Sequence, residues 1–279
     1  MPPNLNRVVA RNLSTALLFE DDIDWDFRIR SQLVAFSEAT RRLPQLSSLR
    51  AQKQPPAFEE EHPNPIELAK RSSIVLSNPS QENVPTNPFG RDWDILWLGH
   101  CGADLPPASP THPDRFMLLN DDTVPSPKHL RMRSTAPQDP IASLYPAHTR
   151  VYHRTSNSTL CTLAYAVTQR GARKILFQFG MRDFSKGYDF ALSDFCGGLM
   201  QGWVMKDEEG EPVRLMCVTV QPPLFSHFWG ETGSSDIMGM GIGGRPDVGS
   251  RYIKRSARGN LEGLVNGMET LDEQWADEK

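Results

Sequence analysis

Short runs of apolar residues, each about the length of one buried strand, are spaced along the chain and separated by longer polar segments. The first of these runs stops at acidic residues and the last stops just before a pair of prolines, which is typical of strands bounded by loops. The runs that predict strands are TALLFE (15–20), DILWLG (94–99), RFMLLN (115–120), LCTLAYAV (160–167) and VRLMCVTV (213–220).

Between these runs, other segments show the period of a helix. Apolar residues recur at steps of four and three over about 28–43, which marks one face of an amphipathic helix. Thr168 is placed to cap a helix that directly follows the strand at 160–167. Further helices are predicted near 4–13, 66–72 and 188–203. Short buried strands that alternate with helices predict an α/β fold.

Proline divides the chain into regions. Seventeen of its 23 prolines fall between Pro44 and Pro146, so this stretch is predicted to be loop-rich. Within it, 44–90 is interpreted as a proline-rich surface insertion and 121–150 as a proline-broken loop. We predict one domain over 1–230, followed by a glycine-rich, basic segment and a helix-prone or disordered tail over 231–279.

Charge and composition exclude several classes of protein. A net charge of −4 argues against a general nucleic-acid binder. No apolar run approaches the roughly 18–20 residues of a membrane span. The four cysteines form no Cys-x-x-Cys pair, which argues against a structural zinc site. We therefore expect no nucleic-acid partner and no membrane span in this chain.

A burst of acidic residues follows the first predicted strand and is the sharpest chemical signal in the sequence. It reads Glu20-Asp21-Asp22-Ile23-Asp24-Trp25-Asp26. Neighbouring carboxylates repel one another, by about 1 kcal/mol per close pair even in water, unless a cation compensates. Hard divalent cations prefer carboxylate oxygens and keep positions open for phosphate. The burst predicts a metal or nucleotide site, and an acidic turn at the start of the next helix is the alternative.

Two familiar motifs do not fit this burst. A calcium loop that starts at Asp22 needs glycine at its sixth place and glutamate at its twelfth, where Phe27 and Leu33 stand. A phosphate-binding loop needs Gly-x-x-x-x-Gly-Lys-Ser/Thr, which does not occur in the chain.

Five segments, taken in order, form a pattern that is more specific than any one of them. The segments are STALLFEDDIDWD (14–26), WDILWLGHCG (93–102), TLCTLAYAVTQRGARKIL (159–176), YDFAL (188–192) and VTVQPPLF (218–225). The pattern is an apolar strand ending in Glu-Asp-Asp, a tryptophan-rich strand, an alanine-tyrosine strand running into a helix, a following acid, and a late Pro-Pro-Leu. This ordered set resembles glycosyltransferase family 25, and most closely its fungal members. The similarity covers about residues 5–228, apart from the proline-rich insertions.

The resemblance implies a GT-A-like fold and transfer of a hexose, galactose above all, from a UDP-sugar to a hydroxyl of a glycan or a hydroxylated protein, with Mn²⁺ or Mg²⁺. It places Glu20, Asp21 and Asp22 at the family's variant of the Asp-x-Asp motif. Asp22 would be a metal ligand, and Glu20 would hold the ribose or a metal-bound water. Asp189 matches an acid that would act as the catalytic base, and a helix-terminal acid stabilised by the dipole is the alternative. His227 would complete the metal shell, although a surface or core histidine is the favoured interpretation.

The chain departs from the family in one respect. Only 19 residues precede the acidic burst, where the family has a βαβ unit that binds uridine. We expect weak UDP binding and little transfer by this chain, and a partly exposed first strand and following helix. Localisation in the lumen of the endoplasmic reticulum or Golgi is expected if a longer N-terminus exists. The alternatives are a non-catalytic remnant of such an enzyme and, more distantly, a metal-dependent hydrolase.

Other candidates carry weaker signals. His100 follows a strand and could face the cleft, whereas Cys101 lacks the elbow motif of a cysteine nucleophile. Asp194 is a second, weaker candidate for the base. The basic run of Arg251, Lys254, Arg255 and Arg258 could neutralise a diphosphate, although a solvated segment is the favoured interpretation. The cysteines could all be free, or Cys196 and Cys217 could form a disulfide.

Overall fold

The computed structural model describes residues 3–52, 64–77, 85–108, 112–132, 136–156, 158–181, 186–200, 206–207, 209–230 and 248–277. Within these residues nine strands join one mixed sheet, and helices cover both of its faces. The strands are β1 (Thr15–Phe19), β2 (Ile23–Trp25), β3 (Ser73–Val75), β4 (Ile95–Gly99), β5 (Arg115–Leu118), β6 (Arg150–Arg154), β7 (Ala164–Thr168), β8 (Cys217–Gln221) and β9 (Phe225–His227). The helices are α1 (Pro3–Ala10), α2 (Ile29–Gln52), α3 (Pro65–Arg71), α4 (Ile141–Leu144), α5 (Gln169–Met181), α6 (Tyr188–Gly197) and α7 (Leu261–Val265).

The sheet has the order β1-β7-β4-β8-β6-β5-β3, and β9 joins β2 to β4. The pairs β4–β8, β3–β5 and β4–β9 are parallel, and the other pairs are antiparallel. The α/β prediction is confirmed at this level. None of the helices in the described ranges is long and apolar enough to cross a membrane.

Strand β4 shows how the sheet separates two layers of core. Ile95 and Trp97 pack among side chains of α1, α5 and α6, while Leu96 and Leu98 pack with α2 on the other face. Successive side chains of a strand point to opposite faces, and both faces of the sheet are covered here. All five residues of β4 are therefore buried. The expectation of a continuously apolar central strand at 94–99 is therefore confirmed.

Strand β1 was predicted as a buried strand, and the structure confirms the strand but not the burial. Leu17 and Phe19 are 50 % and 60 % exposed. The reason is that β1 lies at the end of the sheet and pairs with β7 alone among the described strands. The expected partial exposure of this strand is thus observed, whereas α2 buries Phe36, Ala39 and Leu43 in the core.

The predicted helices are present with shifted ends. Thr168 caps α5 as expected, since its Oγ1 accepts a hydrogen bond from the Gly171 N–H at 3.0 Å. Helix α2 continues through Pro44 to Gln52, beyond the predicted end at 43. Helix α6 ends at Gly197, short of the predicted end near 203, and is followed by Gly198, whose left-handed φ of 71° suits a glycine C-cap.

The proline-rich insertion is partly built into the fold. In the described residues of 44–90, helix α3 matches the helix predicted near 66–72, whereas the end of α2 and strand β3 were not predicted. Strand β3 extends the sheet by pairing with β5. Residues 53–63 and 78–84 of the insertion lie outside the described ranges.

All four cysteines form disulfides. Cys196 and Cys217 are bridged with a Cα separation of 5.6 Å, so the predicted pair is confirmed. Cys101 and Cys161 form a second bridge that the sequence did not indicate, with a Cα separation of 5.5 Å. Both separations lie in the usual range for disulfides.

Candidate functional site

A cleft of about 390 Å³ opens where β1 and β4 end and β7 begins. Glu20, Asp22, Asp189 and His227 all line it, although they come from separate parts of the chain. Because β1 and β4 both run antiparallel to β7, their carboxyl ends lie at the same edge of the sheet. The structure therefore brings together four of the five predicted site residues, and Asp21 alone does not line the cleft.

Asp22 and His227 are held side by side by two short strands. Strand β2 pairs with β9 so that Ile23 lies opposite His227, and the Phe228 N–H donates to the Asp22 carbonyl at 2.8 Å. This pairing places Asp22 Oδ2 2.9 Å from His227 Nε2. The other carboxylate oxygen, Asp22 Oδ1, is buried and has no hydrogen-bond partner among the described residues.

The His227 ring is packed as well as paired. It stacks on Trp229 with ring centroids 4.0 Å apart. Burial lowers the pKa of His227 below its ordinary value, and the neighbouring Asp22 carboxylate opposes that shift. The imidazole is therefore held mainly in its neutral form, which is the form that binds metal ions.

Glu20 lies at the end of β1 and is anchored through its backbone. Its N–H donates to the Leu163 carbonyl at 2.9 Å. Burial raises the pKa of Glu20, the charges of Asp22 and Asp189 raise it further, and a hydrogen bond from Thr162 opposes the shift. A carboxyl group in a cleft whose pKa is raised by burial and by neighbouring acids is a candidate functional residue.

Asp189 lies in the first turn of α6 and points back to the beginning of β7. Its Oδ2 accepts a hydrogen bond from the Cys161 N–H at 3.1 Å. The alternative interpretation, a helix-terminal acid stabilised by the dipole, is compatible with this position. The contact with Cys161 adds a specific orientation, because the carboxylate is held against the cleft wall.

The remaining acids of the burst have a different role. Asp24 is fully buried and accepts hydrogen bonds from the hydroxyl groups of Ser250 and Ser256. Asp26 is also fully buried and pairs with Arg28 at 2.8 Å. These two carboxylates attach β2 to the C-terminal segment and are not available to a ligand in the cleft.

The basic run was expected to be a solvated segment, and that interpretation is wrong. Arg251 and Lys254 are only 8 % and 6 % exposed. The Arg255 N–H donates to Asp26 Oδ2 at 3.0 Å, and the Arg258 guanidinium donates to the Ile23 carbonyl at 2.7 Å. The glycine-rich residues 239–244, which precede this run, lie outside the described residues.

The ability of the cleft to hold a divalent cation depends on the side chains that could be its ligands. No group of three or more His, Cys, Asp and Glu side chains in the described ranges is arranged as a metal site. Asp22 and His227 nevertheless offer a carboxylate and an imidazole at adjoining positions, and Asp22 Oδ1 has no other partner. Two protein ligands of this kind fit Mn²⁺ or Mg²⁺ whose other positions are filled by water and phosphate oxygens.

His100 and Cys101 do not act as the sequence allowed. The expectation that His100 could face the cleft is wrong, because its side chain is buried. The His100 Nε2–H donates to the Val220 carbonyl at 2.9 Å, and Nδ1 accepts from the Gly102 N–H at 3.2 Å. Cys101 does line the cleft, but its sulfur is bonded to Cys161 and leaves no thiol to act as a nucleophile.

The burial of His100 predicts a pH dependence of stability. Burial lowers its pKa from 6.5 to about 4, so protonation favours the unfolded chain. Stability contributed by neutral His100 is complete above pH 6.5 and is lost as the pH falls towards about 4. The loss is about 3 kcal/mol, since one pKa unit corresponds to about 1.4 kcal/mol.

The free energy of unfolding in urea, measured from about pH 7 to about pH 4, tests this expectation, because that range spans the ordinary and the lowered pKa of His100. Buried His153, with a pKa lowered to about 4, acts in the same direction, and Asp139, with a pKa raised to about 6, partly offsets both. His100→Gln should show a shallower decrease than the wild type. Equal slopes for the two proteins would contradict the assignment.

Comparisons with known proteins provide no independent identification. No family model matches the chain, and the comparisons with curated proteins and with solved structures also found no match. The function is therefore inferred from the residues and geometry of the cleft.

Three further residues of the cleft were not predicted as site residues. Thr162 hydrogen-bonds to Glu20, Trp229 stacks on His227, and Tyr188 precedes Asp189 in the cleft wall. Trp229 could have been found from the sequence, because it stands two places after His227 and alternate side chains of an extended segment share a face. The position of Thr162 depends on a bent segment that no local pattern indicates.

Proposed function

We propose that this chain forms the donor side of a GT-A-like glycosyltransferase related to family 25. The reaction is transfer of a hexose from a UDP-sugar to a hydroxyl group. The observation that carries the proposal is the convergence of Glu20, Asp22, Asp189 and His227 on one cleft. The resemblance suggested these residues from separate motifs, and their common location is a separate observation.

The cleft offers groups for the two demands of the reaction. The leaving diphosphate must be stabilised as its negative charge grows, and a divalent ion bound in the cleft would supply Lewis-acid chemistry for that purpose. Asp22 and His227 would hold the ion, and Glu20 would orient the ribose or a water next to it. These roles agree with the adjoining positions of the Asp22 carboxylate and the His227 imidazole.

The acceptor hydroxyl must lose its proton as it attacks the sugar. Asp189 is the candidate base, because a carboxylate within hydrogen-bond reach can take that proton. The hydrogen bond from the Cys161 N–H fixes the direction of the Asp189 carboxylate. Galactose as the donor sugar, and a glycan or hydroxylated protein as the acceptor, are supported by the resemblance to the family.

The base is tested by replacing Asp189 with asparagine and measuring UDP release from UDP-galactose in Mn²⁺. We expect even the small turnover anticipated for this chain to fall further, by about 10²–10⁴-fold in kcat, which is the usual contribution of general base catalysis. Asp194→Asn is the matched control, because Asp194 lies on the same helix and pairs with Lys186. A similar decrease in both variants would contradict the role of Asp189.

A second candidate function is binding without turnover. It is favoured by the arrangement of the cleft, in which only two candidate ligands adjoin and no three-residue metal cluster occurs in the described part of the chain. UDP binding that depends on Mn²⁺, with no UDP release from UDP-sugars, would support this function over transfer.

A further inference from the structure

The segment Cys161-Thr162-Leu163 contacts Asp189 and Glu20, which are two of the four candidate site residues that line the cleft. The Cys161 N–H donates to Asp189 Oδ2, and Thr162 hydrogen-bonds to the Glu20 carboxyl group. The Leu163 carbonyl accepts the Glu20 N–H at 2.9 Å. Any shift of these three residues would therefore move the partners of Glu20 and Asp189 together.

Cys161 does not adopt a conformation that its residue type favours. It has a φ of 63°, and Ser158, three positions earlier, has a φ of 65°, both in the left-handed region that non-glycine residues rarely occupy. Such conformations persist only where surrounding contacts hold them.

The end of β4 supplies those contacts. The Cys101 N–H donates to the Leu160 carbonyl at 2.8 Å, and the Leu160 N–H donates to the Gly102 carbonyl at 3.0 Å. The Trp97 indole N–H donates to the Cys161 carbonyl at 2.9 Å. The disulfide between Cys101 and Cys161 is the covalent part of this attachment, and both of its residues line the cleft.

The two disulfides of the protein differ in their access to solvent. Cys101 and Cys161 are half-buried at the cleft, whereas Cys196 and Cys217 are only 9 % and 2 % exposed. A thiolate must reach a sulfur atom to break a disulfide, so access controls the rate. The cleft disulfide is therefore the more exposed of the two, although Cys196 and Cys217 line a smaller pocket of about 230 Å³.

We propose that the Cys101–Cys161 disulfide is a positioning element of the cleft, and that its reduction loosens residues 158–163 and releases Asp189 and Glu20 from their places. A dithiol supplies the two electrons and two protons. The protein disulfide becomes two thiols, and the dithiol becomes a cyclic disulfide. The positioning can be measured without substrate, and only its consequence for sugar transfer rests on the proposed function.

The first experiment measures selectivity in the native protein. Dithiothreitol is added, new thiols are alkylated, and the labelled peptides are quantified over time. We expect Cys101 and Cys161 to be labelled roughly tenfold faster than Cys196 and Cys217, because of the difference in access. Equal labelling of the four cysteines, or faster labelling of Cys196 and Cys217, would overturn the proposal.

The second experiment measures positioning in the selectively reduced protein by amide hydrogen exchange. The amides of Glu20, Cys101 and Cys161 should lose roughly tenfold in protection, while the amides of β8 remain protected. Reoxidation should restore slow exchange. The Cys101→Ala, Cys161→Ala double variant should behave like the reduced protein, with the Cys196→Ala, Cys217→Ala double variant as its control. Unchanged exchange at Glu20 and Cys161 after reduction would show a disulfide without a positioning role.

A third measurement separates positioning from general loosening. The side-chain carboxyl ¹³C resonance of Asp189 should shift on reduction, because its hydrogen bond from Cys161 is lost, while that of Asp194 should not. A shift with no UDP binding in either state would uphold the positioning role and count against the proposed function. An Asp189 resonance that is insensitive to reduction would overturn the positioning role, whatever the binding results.

Discussion

Replacing Asp24 with alanine is expected to destabilise the fold by about 3 kcal/mol, because it removes hydrogen bonds to a buried charged group and leaves their donors without an acceptor. The fully buried carboxylate accepts hydrogen bonds from the Trp25 and Arg258 N–H groups at 2.8 and 3.1 Å. It also accepts from the hydroxyls of Ser250 and Ser256. Alanine would leave these donors without their partner in a place that water does not reach. The free energy of unfolding, from urea titration, measures the effect.

Asp21→Ala is the matched control for this prediction. Asp21 stands three positions earlier in the same acidic burst, but its side chain is exposed. Exposed substitutions without specific partners usually change stability by about 0.5 kcal/mol or less. Equal destabilisation by Asp24→Ala and Asp21→Ala would show that the buried hydrogen bonds of Asp24 contribute little to the free energy of unfolding.

Replacing Asp22 with alanine is expected to abolish Mn²⁺ binding. Asp22 contributes the carboxylate beside His227 Nε2, and its Oδ1 has no other partner among the described residues. Asp22→Asn keeps the volume of the side chain and removes its charge, so it should bind Mn²⁺ nearly as poorly as alanine does. Titration calorimetry with Mn²⁺ alone measures both variants against the wild type.

Two controls accompany this titration. Asp21→Asn removes a charge from the neighbouring residue, which does not line the cleft, and should leave Mn²⁺ affinity close to that of the wild type. His227→Gln should weaken binding if the imidazole is the second ligand. Equal Mn²⁺ affinity in the wild type and Asp22→Ala would sink the assignment of Asp22.

The central strands and the first part of the site could be predicted from the sequence for a simple physical reason. A strand such as β4 is covered on both faces, so its residues form an uninterrupted apolar run. The acids directly after β1 stand out because carboxylates cluster only where something compensates their charge. That Asp189 and His227 would lie near them could be expected only from the resemblance, because contacts between distant segments leave no local pattern.

Strand β6 shows why other elements were missed. Its sequence, Arg-Val-Tyr-His-Arg, has the polarity of a loop, yet Arg150 and His153 are buried within the sheet. Arg150 can be buried because Asp121 pairs with it at 2.6 Å and the Pro222 carbonyl accepts a further hydrogen bond at 2.7 Å. The partners that make this strand possible are far away in the sequence, so its composition is misleading.

The spacing of the acids in the burst does not show which of them face the cleft and which are buried against the C-terminal segment. Asp22 and Asp24 are two residues apart, which predicts a common face if the segment is extended. The chain turns at Asp22 before β2 begins, so Asp22 faces the cleft and Asp24 faces the C-terminal segment. The serines that bind Asp24 lie at positions 250 and 256, beyond the reach of any local pattern.

The central claim is that the cleft at the end of β1 binds the diphosphate of a UDP-sugar through a divalent ion. Calorimetric titration of UDP, with and without Mn²⁺, tests it most directly when the wild type is compared with Asp22→Asn and Asp21→Asn. We expect weak UDP binding that requires Mn²⁺, is lost in Asp22→Asn and is retained in Asp21→Asn. UDP binding that is indifferent to Mn²⁺ and to Asp22, or no UDP binding by the wild type in Mn²⁺, would contradict it.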